Sequence, residues 1–190
     1  MTVQEYLDAR SKHRLTVDEF LLLDRAGAFG DRRTELFEGE VYYMSPKHRP
    51  HARTVTELVV ALAQTLKASG SGLSVLTDIS VRLSDHDVPE PDIAITDAPQ
   101  GDGILPLEAV RLLIEVADST LAQDMGLKAA LYAGAGVPEY WVADVNARVI
   151  HQMWSARPEG YAERREVAFG ETIVAATLAS VSLETKGLDG

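Results

Sequence analysis

Glu115 stands in the most apolar stretch of the chain, Leu112-Leu113-Ile114-Glu115-Val116-Ala117. Side chains alternate along a strand, so its face is shared with Leu113 and Ala117. An ionised carboxylate buried there without compensation costs several kcal/mol, so the fold must supply a cation, hydrogen-bond donors or a proton. A structural ion pair with Arg82 or Arg111 would do this, and so would a metal ion. Asp92 follows Pro91 at the entrance to a second extended segment. Aspartates commonly end loops and cap turns, but the face of Asp92 continues as Ala94 and Thr96, small residues that leave a crevice, while Ile93 and Ile95 point the other way. Two carboxylates on neighbouring strands repel one another, and a hard divalent ion such as Mg²⁺ or Mn²⁺ relieves that repulsion. The sequence sets no obvious positive neighbour beside either.

Lys128 lies four residues after Asp124. On a helix this spacing reads plainly as a surface pair worth a few tenths of a kcal/mol. A helix leaving the Glu115 strand also packs back over the sheet, and a four-carbon stem can carry an ammonium to the carboxylates. Glu35 in a hairpin and His51 at the start of a long helix are further candidates, although each reads more simply as a surface residue. His13 and His86 in polar loops, and His151 on a strand, receive no role. The acids Asp85, Asp87, Glu90 and Asp92 lack the fixed spacing and central glycine of a calcium loop. Trp141 and Trp154 read as core or interface aromatics rather than base-stacking platforms.

The elements that must position these residues follow from period and punctuation. Thr16 and Glu19 form a capping box, opening a short helix that Gly27 ends. Thr34 to Met44 reads as a hairpin about Glu38-Gly39. Val55, Leu58, Val59, Leu62 and Leu66 recur at helical steps between His51 and Ser69, with Gly70 as the stop. Extended segments follow at Leu73 to Leu83, Pro91 to Thr96 and Arg111 to Ala117, the last apolar enough to be covered on both faces. A helix capped by Ser119 or Thr120 runs to Gly134-Ala135-Gly136, and Glu139 to Val145 resumes as a strand. The order is α-β-β-β-α-β, an α/β (α+β) mixed sheet with helices packed on it, spanning about 34–146 of a single domain 1–190. The N-terminal helix occupies about 16–27, and about 148–183 reads as an extension of short strands.

Composition removes several functions. The 190 residues carry 18 Lys and Arg against 29 Asp and Glu, a formal charge of -11, which argues against gripping duplex DNA through a broad cationic surface. With no cysteine, disulfides, thiolate metal sites and cysteine nucleophiles are all excluded. The longest aliphatic run, Leu58 to Ala63, is too short for a membrane span. The start, Met1 to Glu5, shows no signal-peptide pattern, so the expected location is cytoplasmic.

Taken in order, Glu35-Leu36-Phe37-Glu38-Gly39-Glu40, Met44-Ser45-Pro46, His51, Pro91-Asp92, Ile114-Glu115-Val116, Asp124 to Lys128, Tyr132 and Gly136-Val137-Pro138-Glu139-Tyr140-Trp141 resemble the bacterial restriction endonuclease family within the PD-(D/E)XK phosphodiesterase superfamily. The resemblance runs from about Thr16 to Asp144 and implies a restriction-endonuclease-like core. It implies Asp92, Glu115 and the Val116 carbonyl as ligands of Mg²⁺ or Mn²⁺, Glu35 as an accessory acid and His51 as a helper. In the superfamily's commonest pattern a lysine stands two residues after the glutamate, where this chain has Ala117. It is similar instead to members whose lysine has moved onto the next helix, which gives Lys128 that role.

The implied activity is metal-dependent hydrolysis of DNA phosphodiesters. The alternatives are a non-catalytic nuclease-fold module for binding or dimerisation, and a hydrolase of a small phosphodiester that tolerates the acidic surface. DNA contact would fall to the Arg10 to Arg14, Arg32-Arg33 and Lys47 to Arg53 clusters. A homodimer is expected, with Tyr140, Trp141 and Trp154 furnishing an interface.

Overall fold

The computed structural model describes residues 12–179 and 181–189. Arg10 and the rest of the chain before Lys12 therefore lie outside the described residues. The capping box forms as expected. The Glu19 N–H donates to Thr16 Oγ1 and the Thr16 N–H to Glu19 Oε2, starting α1 (Val17–Arg25). Val17 and Phe20 of α1 pack on Leu36 and Val88. The hairpin is β1 (Thr34–Phe37) and β2 (Glu40–Tyr43), turning through Glu38 and Gly39, both at positive φ. It is held to the body of the protein by paired backbone hydrogen bonds between Leu36 and Val88.

Next come α2 (Arg49–Ser69), with proline in its first turn and Gly70 in the left-handed conformation at its end, and β3 (Ser74–Thr77). The extended segment expected over Leu73 to Leu83 is two strands. Asp78, at φ +50, breaks it, and β4 (Val81–Arg82) leaves the main sheet to pair in parallel with β6 (Leu105–Pro106). Between them lies β5 (Ile93–Thr96), and β7 (Val110–Ala117) follows a single 3₁₀ turn.

The expected second helix also differs. A short α3 (Leu121–Gln123) runs into a π turn at Asp124–Lys128 and then α4 (Ala129–Ala135). Next is β8 (Glu139–Asp144), and the region read as short strands opens with two nine-residue ones, β9 (Val149–Arg157) and β10 (Gly160–Ala168). Their outward faces and the charged run Glu163 to Glu166 dilute the alternation in the sequence. Only the β11 (Thr172–Val174) and β12 (Ser182–Glu184) hairpin is short.

The main sheet has the order β10-β9-β8-β7-β5-β3, with β7 and β8 parallel and the other pairs antiparallel. On one face, Leu58, Leu62 and Leu66 of α2 cover Ile93, Ile95, Leu112, Ile114 and Val116. On the other, Ala129, Tyr132 and Ala133 of α4 cover Ala94, Leu113, Ala117 and Tyr140. β7 is thus covered on both faces, as its unbroken apolar run requires. Tyr140 and Trp141 are fully buried in this core, which corrects the expectation that they furnish an interface between copies. No helix among the described residues is long and apolar enough to cross a membrane.

Candidate metal centre

Asp92 follows Pro91 and immediately precedes β5, beside the C-terminal end of β7. Its Oδ2 accepts from the Val116 N–H at 2.8 Å and from His51 Nε2 at 3.0 Å, and its Oδ1 accepts from Lys47 Nζ at 2.8 Å. The bond to a carboxylate puts the imidazole proton on Nε2. Burial alone would raise the Asp92 pKa, but the hydrogen bonds and charges of His51 and Lys47 outweigh it and hold the group well below its ordinary range.

Glu115 lies 3% exposed on β7. Its Oε1 accepts from Lys128 Nζ and from the Tyr132 hydroxyl, each at 2.9 Å. Burial pushes its pKa up to about 8; the charges of Asp92 and Asp124 add to this, and Lys128 opposes it. The same ammonium stands 3.4 Å from Glu35 Oε1, which also accepts from the Glu90 N–H at 2.9 Å. Glu35 is raised by burial, with Lys128 opposing. For Lys128 burial works downward, but Glu115 and Glu35 together raise its pKa, so it stays charged.

The π turn explains how a helical lysine reaches this point. Its extra residue widens one turn, carried by the Ala129 N–H donating back to Asp124 O, and such turns concentrate at functional sites. Asp124 and Lys128, spaced like a surface pair, are both buried, 3% and 6% exposed. Asp124 is raised by burial, and its Oδ2 accepts from the Thr120 hydroxyl at 2.5 Å.

Glu35, His51, Asp92, Glu115, Val116 and Lys128, the residues singled out from the sequence, all line one cleft of about 200 Å³. Three things were missed. Lys47, read only as part of a basic cluster, is the cation that the sequence around Asp92 does not provide, and it joins His51, already singled out, on that carboxylate. Asp124 is a member of the site, and Tyr132 is a donor to Glu115. The arginines offered as structural partners go elsewhere, Arg82 to Asp18 and Arg111 to Asp97. Among the described residues no three His, Asp or Glu side chains are already gathered at metal-binding spacing; ammonium groups lie between the acids instead.

A family model, Uma2, described as "Putative restriction endonuclease", matches residues 17–186. The chain belongs to the Uma2 family. Its fold is restriction-endonuclease-like: the crystal structure of a "putative nuclease belonging to DUF820" from Anabaena variabilis superposes with a TM-score of 0.70 at 18% identity, over 92% of this Uma2 chain and 97% of that one. No curated protein is significantly similar to the chain.

Proposed function

We propose that this Uma2 protein is a divalent-metal-dependent DNA endonuclease. One observation carries the reading: the cleft collects four buried carboxylates, Glu35, Asp92, Glu115 and Asp124, against two ammonium groups, those of Lys47 and Lys128. Fully ionised, that is a formal -2, the charge one divalent ion neutralises. Burial relieves it meanwhile by raising Glu35, Glu115 and Asp124 towards their neutral forms. The oxygen-only donor set fits Mg²⁺ or Mn²⁺.

Asp92 and Glu115 would hold the ion together with the Val116 carbonyl. The Ala117 carbonyl accepts from Val145 beyond β8, and because backbone groups alternate along a strand the Val116 carbonyl points the other way, towards Asp92. When bound, a divalent ion polarises a phosphate and lowers the pKa of its water. His51 and the Val116 N–H fix one oxygen of Asp92 and so aim the other into the cleft. Lys128, held charged by two acids, orients the attacking water and offsets negative charge developing on the phosphate. Glu35 keeps that ammonium centred.

The expected result is nicking of supercoiled plasmid by purified protein with Mn²⁺, abolished by chelation. Cleavage of bis(p-nitrophenyl) phosphate without nicking would support the small-phosphodiester alternative. The ion pairs already satisfying Asp92 and Glu115 favour a second reading, a non-catalytic module stapled by these contacts. It predicts neither cleavage nor Mn²⁺ binding.

A further inference from the structure

Lys47 lies on the short connection between β2 and α2, and no element of regular structure holds it. Its ammonium bridges two acids, Asp92 Oδ1 at 2.8 Å and Asp78 Oδ1 at 2.6 Å. The two oxygens of Asp92 are not equivalent. Oδ2 is committed to a backbone N–H and to His51, both fixed by buried elements. Oδ1, the oxygen aimed into the cleft, is occupied by Lys47. The contrast with Lys128 is direct: Lys128 is 6% exposed and locked between Glu115 and Glu35, whereas the Lys47 side chain is 26% exposed at the mouth of the cleft.

Resting on the metal-site reading above, we propose that Lys47 is an exchangeable internal counterion, which occupies Oδ1 of Asp92 until a divalent ion displaces it and then offers its ammonium to a substrate phosphate. An ion seated between Asp92 and Glu115 has to take Oδ1, since the other oxygen is spoken for. The displaced ammonium does not leave the site. Asp78 still tethers it, and Asp78 is itself fixed by Arg33 at 2.7 Å. A lysine acts on phosphate as a flexible point charge, which suits a group that must change partners. The metal-free protein thereby avoids leaving the Asp92 carboxylate bare.

The exchange makes Lys47 and the metal competitors, so removing one must strengthen the other. The test measures Mn²⁺ affinity by calorimetry and binding of a fluorescent oligonucleotide duplex, with Ca²⁺ as the ion, by anisotropy. Lys47→Met should bind Mn²⁺ at least about fivefold more tightly, within the usual range of such couplings, while binding the duplex more weakly. Lys47→Arg, whose fork grips a carboxylate at two points, should bind Mn²⁺ more weakly than wild type. The metal-free Lys47→Met protein should melt lower than wild type, with the gap closing at saturating Mn²⁺. A lysine of structural importance alone would weaken both affinities together, or neither, when replaced, and either result overturns the proposal. If the wild type itself binds no Mn²⁺, the metal site falls and the exchange with it; if wild type and Lys47→Met bind Mn²⁺ equally, only the exchange falls.

Discussion

The backbone N–H of Val116 donates to Oδ2 of Asp92 at 2.8 Å. This single bond ties the entrance of β5 to the C-terminal end of β7 and sets the Asp92 carboxylate beside the strand that carries Glu115. It also spends one oxygen of Asp92 on structure, leaving the other for chemistry. Pro91 suits the arrangement, because it precedes β5 and so owes no donor to the ladder.

Mn²⁺ should therefore stabilise the wild type through Asp92. At about 100 times its dissociation constant the ion contributes roughly 2.7 kcal/mol, about 5–10 °C in Tm for a protein of this size. Asp92→Ala should show no shift. An equal shift in that variant, read by differential scanning calorimetry, would place the ion elsewhere.

Lys128→Met keeps the stem and removes the charge. Plasmid nicking should fall at least about 100-fold, the scale of losing one preorganised electrostatic contact. Glu115 and Glu35 lose their shared cation, so above about pH 8, where Glu115 is ionised, the metal-free protein should also lose about 3 kcal/mol, as when one partner of a buried pair is removed. The variant should regain part of that stability on adding Mn²⁺. Wild-type cutting by a folded Lys128→Met protein would remove this lysine from the mechanism.

Much of this arrangement was legible because it breaks local rules. Glu115 interrupts an apolar run, and such a conflict between residue and surroundings marks a functional or strained place. The long helix was equally plain, since its period and its Gly70 stop agree. What stayed hidden depends on the third dimension. Nothing in Asp124-Met125-Gly126-Leu127-Lys128 announces a π turn, so an ordinary helical spacing suggested a surface pair. Lys47 reaches Asp92 across 45 residues of chain, and no sequence window contains both. Asp78 breaks an apparently continuous strand through a backbone conformation that aspartate tolerates but does not advertise. β9 and β10 were underestimated because an outer, half-exposed strand needs few apolar residues.

Stability of the metal-free protein should fall as pH rises between about 5 and 8. The folded protein holds the Glu115 proton up to about 8, against an ordinary value of 4.5. A proton bound more tightly when folded gives a contribution that is whole below the unfolded value and lost as pH climbs through the folded one. Glu35 and Asp124 are shifted in the same direction. Asp92 is shifted oppositely, so its contribution is present above its ordinary 3.8 and disappears only in stronger acid. Glu115→Gln should flatten much of the decline in Tm over this window. Stabilisation by Mn²⁺ should grow with pH, because binding must expel that proton. A wild-type Tm that stays level from pH 5 to 8 would contradict the assignment.

Glu139 shows what a structural carboxylate in this sheet looks like. Fully buried on β8, it accepts from Trp141 Nε1, Gln152 Nε2 and the Ala176 N–H on one oxygen, and from the N–H and hydroxyl of Thr177 on the other. These bonds pin the stretch between β11 and β12 to the main sheet, and Glu139 does not line the cleft. Glu139→Ala would leave several buried donors unpaired, so it should cost at least about 3 kcal/mol and lower Tm by about 6–12 °C. Glu139→Gln, which keeps one acceptor oxygen, should cost less. Neither should change Mn²⁺ affinity, measured by calorimetry below the melting transition. A buried carboxyl group by itself is thus a poor mark of a site; what separates Glu115 from Glu139 is a cleft, a neighbouring acid and an ammonium donor beside the Tyr132 hydroxyl, in place of a closed set of indole, amide and hydroxyl donors. A loss of Mn²⁺ binding in Glu139→Gln would erase that distinction.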